Sequence, residues 1–362
     1  MTTLHLRGPA DVLAVLPYQL GYHPRDSVVV VSLHGRRMGL VQRLDLPPHE
    51  HVPEAVAAMT GPLAADGPES ALLVGYEEGE GASVPMLDAL DDACDEMGLP
   101  VVDRLVVRDG RWFALDCTIE GCCPAAGTPL PPDHEVPAVA DFVGMEVAPL
   151  AGREELVASL QPGAHPLLTR AVQACAQEWL EAVTDGHDHD HDQTDLEQQR
   201  ARALAVWAEV LREDDAAPAV TALPPADLAL AACSLVDVHL RDALVAWLCP
   251  GTLELDLVDP RLWEQLRDAL PVRGWGRGEP GTAQVTAQRR VEARLVSLCG
   301  ILPDEWAVAA LTVLANLTWW RGDGALTRVA LDRALAADPG YRLAALLERM
   351  VDLAIRPDRA SA

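Results

Sequence analysis

Residues 27–34 read SVVVVSLH, and the four consecutive valines decide the fold class. A β-branched run this short and this apolar, without polar alternation, is a strand covered on both faces, as in sheets that carry helices on either side. Upstream, ADVLAVLPYQL at 10–20 spaces its apolar side chains for a helix and stops at Gly21, after which His23-Pro24-Arg25-Asp26 turns the chain into the strand. Downstream, Gly35-Arg36-Arg37 makes a short turn, and MGLVQRLDL returns as a second strand as far as Pro47-Pro48. A helix at 53–65, a strand at 71–76, a helix at 84–97 and strands at 101–108 and 111–117 follow. Strands alternating with helices predict an α/β N-terminal half, a mixed sheet with flanking helices.

From Pro137 the strands stop. The apolar spacing predicts helices at 137–145, 152–160, 166–184, 195–213, 225–248, 259–270, 283–299, 303–321, 324–337 and 341–353, an all-α C-terminal half. The reading is therefore an α/β domain at 1–130 and a helical domain at 131–362, with loops at 185–192 and in the Gly- and Pro-rich PVRGWGRGEPG at 271–281. Residues 308–339 fit the 34-residue tetratricopeptide register. Leu311, Leu314 and Ala315 take the first helix's positions, Gly322-Asp323 the turn, Ala334 the small crossing position and Asp338-Pro339 the end. Thr327 departs from the usual Ala, and a lone repeat reads more simply as a packed helical hairpin than as a groove.

The chain has 362 residues, 49% of them apolar, which suits a globular protein with a sizeable core. Its formal charge is -27, and all 28 basic residues are Arg, which removes the P-loop, Schiff-base and kinase lysines together. So acidic a surface repels phosphate backbones, so no nucleic-acid partner is expected. Nothing reads as a signal peptide or a membrane span, so the expected location is cytoplasmic, where the eight cysteines stay reduced.

Four segments carry candidate chemistry. In DCTIEGCCP at 116–124, Cys117, Cys122 and Cys123 could offer three thiolates, with His134 as a possible fourth ligand. The spacing suits zinc poorly, because adjacent Cys diverge in extended chain; a turn with buried thiols is favoured, without metal or cofactor. The tract HDHDHD at 187–192 could catch transition metals loosely, and its simpler reading is a solvated loop. The loop EEGEGAS at 77–83 has glycines for a phosphate cradle, but its three Glu argue for a surface turn. His23, Arg25, Asp26, Arg43 and Asp45 sit at strand ends, where they could line a pocket or form salt-bridged turns.

PYQLGYHPRDSVVVVSL at 17–33, RLDLP at 43–47, the C-x4-CCP-x2-G-T-P segment at 117–129 and WWRGDGAL at 319–326 together resemble the actinobacterial domain-of-unknown-function family 4192. The likeness covers nearly the whole chain. It implies no activity and assigns no catalytic residue; it implies that the Cys segment and the GYHPRDS turn belong to a shared pattern. The first expectation is a non-enzymatic protein whose helical half binds a protein partner or serves assembly. The alternative is a ligand-binding or enzymatic α/β domain, marked by a pocket joining His23, Arg25 and Asp26 to Cys117 or Cys122.

Overall fold

The structure is a computed structural model that describes residues 8–35, 37–118, 122–185, 193–214, 216–253, 257–270, 275 and 281–357. The HDHDHD tract, and PVRGWGRGEPG apart from Trp275 and Gly281, lie outside these. Two compact units meet in sequence between Arg153 and Glu154.

The first unit carries a mixed sheet. Its elements are α1 (Pro9–Leu20), β1 (Ser27–His34), β2 (Arg37–Asp45), α2 (Val52–Asp66), β3 (Ser70–Tyr76), α3 (Val84–Glu96), β4 (Val101–Arg108), β5 (Arg111–Ala114), β6 (Thr128–Pro129) and α4 (Pro137–Gly144). The strand order is β2-β1-β3-β4-β5-β6. Only β3 and β4 run parallel, joined by the α3 crossover. The valine run is buried as its composition requires: Val28, Val29, Val30 and Val31 are each 0% exposed. Val28 and Val30 pack with Leu73 and Val106 beneath α2 and α3, which contribute Met59, Leu63, Met86, Leu87 and Leu90. Val29, Val74 and Leu105 on the opposite face are equally buried. The same unit holds α1 and α4, whose Tyr18 and Phe142 rings meet at 5.5 Å between centroids.

Two details of this unit differ from the sequence reading. The last long strand ends at Ala114 rather than 117, because Leu115 and Asp116 turn and Asp116 is held by Arg104. The chain then returns as the short edge strand β6, where Pro129 costs no ladder bond.

The second unit is helical: α5 (Arg153–Ser159), α6 (Pro166–Asp185), α7 (Gln193–Val210), α8 (Pro225–Ser234), α9 (Val238–Leu248), α10 (Pro260–Ala269), α11 (Thr282–Cys299), α12 (Asp304–Arg321), α13 (Gly324–Ala337) and α14 (Arg342–Asp352). The single helix expected at 225–248 is two, because Asp237 accepts from His239 N (3.0 Å) and Leu240 N (3.3 Å) and so starts α9. α12 is buried on nearly all sides and forms a hairpin with α13 around Gly322, which takes φ 89°. Ala334 is 0% exposed. Thr327 keeps its hydroxyl satisfied inside this hairpin, 2.8 Å from Thr318 Oγ1 and donating to Asp323 O at 2.6 Å. Arg333 is buried and donates to the carbonyls of Leu160, Cys299 and Leu302 and to the carboxylate of Asp304, which ties α13 to the end of α11 and the start of α12.

Candidate functional site

The candidate site grows from the β4–β5 hairpin. Asp109 and Gly110 both take positive φ, 52° and 68°, the backbone that a two-residue turn needs to match strand twist. The turn sets Arg108 opposite Arg111, so the loop after β5 runs back toward the start of β4. Two arginines hold its described ends. At its start, Arg104 donates from Nε to Asp116 Oδ2 at 2.7 Å and from a second nitrogen to Oδ1, and reaches Asp88 at 2.7 Å and Asp91 at 3.4 Å. The forked pair holds the Asp116 carboxyl below its ordinary value, against the opposing effect of burial. At its end, Arg111 donates to Ala126 O (2.6 Å) and Gly127 O (2.7 Å). Gly127 takes φ +71°, and a Cβ there would lie 2.6 Å from the Phe113 ring.

Between these anchors the three sulfurs of Cys117, Cys122 and Cys123 lie within 4.8 Å of one another. Adjacent cysteines diverge only in extended chain, and here Cys122 and Cys123 lie in a turn and a bend. Nor are the thiols buried: Cys122 is exposed, and Cys117 and Cys123 are half-buried. The Cys123 thiol is pushed up to about 12 by a hydrogen bond shared with Cys117, by burial and by Cys122. All three line a cleft of about 770 Å³, together with Asp91, Asp95, Asp103, Asp116 and Trp112. Burial raises the Asp103 and Asp91 carboxyls, for Asp91 in spite of Arg104. A smaller hollow of about 260 Å³ joins Cys117 and Cys123 to Trp112 and Phe113. Trp112 Nε1 is buried and has no hydrogen-bond partner. His134 is 81% exposed beside Glu135 and is not one of the converging groups.

The other sequence-derived candidates sit at the opposite end of the sheet. Ser27, where β1 starts, pairs with Tyr76 and Asp45 at the ends of β3 and β2, whereas Cys117 follows a strand that ends beside Leu105. His23 N donates to Leu150 O at 2.9 Å, and Asp26 accepts from Glu78 N at 2.9 Å. Arg43 pairs with Asp45 at 2.5 Å, donates to Arg25 O and lies over the Tyr22 ring at 5.9 Å. These contacts bracket a turn, and neither hollow is lined by His23, Arg25, Asp26, Arg43 or Asp45. Beneath the turn Ser27 Oγ, Tyr76 OH and Arg43 Nε are buried without a partner.

Two further clusters emerge from the structure. The Glu77 carboxylate accepts from Gly81 N (3.0 Å), Ser83 N (2.9 Å), Ser83 Oγ (2.8 Å) and Arg108 Nη1 (2.7 Å). It thus fills the anion position at the start of α3 that a phosphate would take. Burial pushes its carboxyl up, but these four donors outweigh that and hold it below its ordinary value. Ser32 Oγ and His34 Nε2 both bond the same Asp66 oxygen, at 2.5 and 2.9 Å. The hydroxyl is thus turned to the carboxylate, not to the imidazole that would activate it. Arg104, Arg111 and Trp112 carry no motif, and only strand pairing brings them to their sites; Glu77 begins the EEGEGAS loop, whose Gly81 and Ser83 bind it.

Fold and site define a mixed-sheet α/β unit with an acidic, thiol-lined cleft, followed by a helical unit. A family model described as a domain of unknown function (DUF4192) matches residues 9–358, and the chain belongs to that family. No curated protein and no solved structure matches it.

Proposed function

We propose that the chain is a non-enzymatic binding protein whose α/β unit captures a small cation in the thiol-lined cleft and whose helical unit serves a protein partner. One observation carries the first part: three sulfurs gathered within 4.8 Å in a cleft that also holds Asp91, Asp95, Asp103 and Asp116. Such a lining raises the local concentration of cations and repels anionic metabolites. Binding rather than catalysis is supported by Glu77, whose four bonds go to its own loop and to Arg108 at the end of β4, and by Ser32 and His34, which share one carboxylate oxygen. The tetratricopeptide-like register supports the second part, with Ala334 buried at the crossing and Thr327 accommodated by Thr318. No helix among the described residues is long and apolar enough to cross a membrane. A cytoplasmic location would keep the thiols reduced, and a basic complement made wholly of Arg suits an actinobacterial origin.

Isothermal titration of the whole reduced protein with calcium, manganese and zinc salts tests the cleft. The expected result is saturable binding of at least one of them, weakened by Asp103→Asn. Absence of binding by every cation would overturn the reading.

A further inference from the structure

We infer that Cys117, Cys122 and Cys123 form a three-thiolate site for one zinc-class d10 cation, held by the Arg104 and Arg111 anchors and leaving the fourth coordination position toward the cleft. The inference rests on the cation-binding reading above and narrows it to one ion class and three ligands. Geometry comes first. A zinc–sulfur bond of about 2.3 Å places sulfurs on a tetrahedral ion about 3.8 Å apart. The sulfurs here lie within 4.8 Å, so each pair closes by at most about an ångström to reach an ion. Arg104 holds Asp116 before the first thiol and Arg111 holds Ala126 and Gly127 after the last, so the flanks of the ligand set are placed before an ion arrives.

The donor set chooses the ion. Sulfur ligands favour soft and borderline cations, while calcium and magnesium demand six or more oxygens. A d10 ion has no geometric preference of its own and accepts three thiolates with a variable fourth ligand. All three cysteines line the cleft, and so does Asp103, so water or its carboxylate can complete the shell. Trp112 borders the site: it lines both hollows that contain Cys117 and Cys123, and its indole N–H is buried without a partner.

The test uses the full chain, purified reduced, stripped with a chelator and then titrated with zinc or with cobalt(II) as its spectroscopic stand-in. One equivalent of cobalt should bind with the intense sulfur-to-metal charge-transfer absorption of thiolate ligation. Zinc should displace it, and Cys117→Ser, Cys122→Ser and Cys123→Ser should each lose the band while Cys175→Ser keeps it. Should a variant fail to fold, alkylation of the wild-type protein reads the same site: zinc should protect Cys117, Cys122 and Cys123 and leave Cys175 as reactive as in the stripped protein. Cobalt bound without charge transfer, or zinc bound without protection of these thiols, overturns the three-thiolate site and leaves the cation cleft standing. No binding at all overturns both. A reduced protein that loses two hydrogens across this cluster on mild oxidation, and binds no zinc beforehand, identifies a disulfide pair instead and overturns the metal assignment.

Discussion

Glu77→Gln is the substitution whose cost the structure fixes most closely. The carboxylate is 1% exposed and receives four donors, two on each oxygen: Gly81 N and Arg108 Nη1 on Oε1, Ser83 N and Ser83 Oγ on Oε2. An amide of the same shape keeps one oxygen and turns an NH₂ toward two donors. Bonds to an ionised group contribute about 1.5–3 kcal/mol each, so losing two sets an upper range of about 3–6 kcal/mol. The better orientation keeps the oxygen on the buried Ser83 pair, and water recovers part of the loss at Gly81 and Arg108, leaving about 2–4 kcal/mol. Glu80→Gln is the control: its side chain is 86% exposed and 3.7 Å from Arg108, and should cost under about 0.5 kcal/mol. Because the chain has two compact units, a global melt would mix them; hydrogen exchange read in peptides from β3 and α3 isolates the local opening energy. The pH dependence follows in sign. The folded carboxyl lies below its ordinary 4.5, so its stabilisation is complete above that value and is lost as the pH falls through the folded one. The gap between wild type and Glu77→Gln should therefore be widest near neutrality and close in acid. Equal protection in Glu77→Gln and Glu80→Gln at neutral pH would refute the internal-anion account of this loop.

Three other expectations follow from packing. Ala334→Leu should overpack the α12–α13 hairpin by about 1–3 kcal/mol, whereas Asp332→Leu on the exposed side of α13 should change stability by less than about 0.5 kcal/mol; denaturant unfolding followed by tryptophan fluorescence measures both. Gly127→Ala combines a left-handed backbone with a Cβ 2.6 Å from Phe113, and should cost about 1–3 kcal/mol and raise hydrogen exchange across 111–130. Tyr76→Phe deletes a buried hydroxyl that has no partner, so it should leave stability unchanged or raise it by up to about 1 kcal/mol; a clear loss would mean that the hydroxyl is satisfied by a bound group.

The fold was legible where composition and period speak locally. Four valines and the Pro47-Pro48 stop announce β1 and its hairpin partner, and Ala334, read as the small crossing position of the 308–339 register, is buried. What escaped is mostly what a distant residue decides. The strand expected to reach 117 ends at Ala114 because Arg104, far back on β4, claims Asp116; the helix expected at 225–248 is the local exception, restarting because Asp237 caps it within a run whose apolar spacing continues. The site escaped for the same reason, compounded by topology. GYHPRDS and the Cys segment both read as strand-end loops, and nothing local tells which end. β2 and β3 both run antiparallel to β1, so all three bring their turn residues to the end where β1 begins. β4 runs parallel to β3, so its last residue, Arg108, is at that end too, and the Asp109-Gly110 turn sends β5 the other way. One parallel pairing thus separates His23, Arg25, Asp26, Arg43 and Asp45 from Cys117, Cys122 and Cys123. The argument from spacing also assumed an extended chain through Cys122-Cys123. A turn gathers the thiols instead, and it is held by two arginines that belong to no motif.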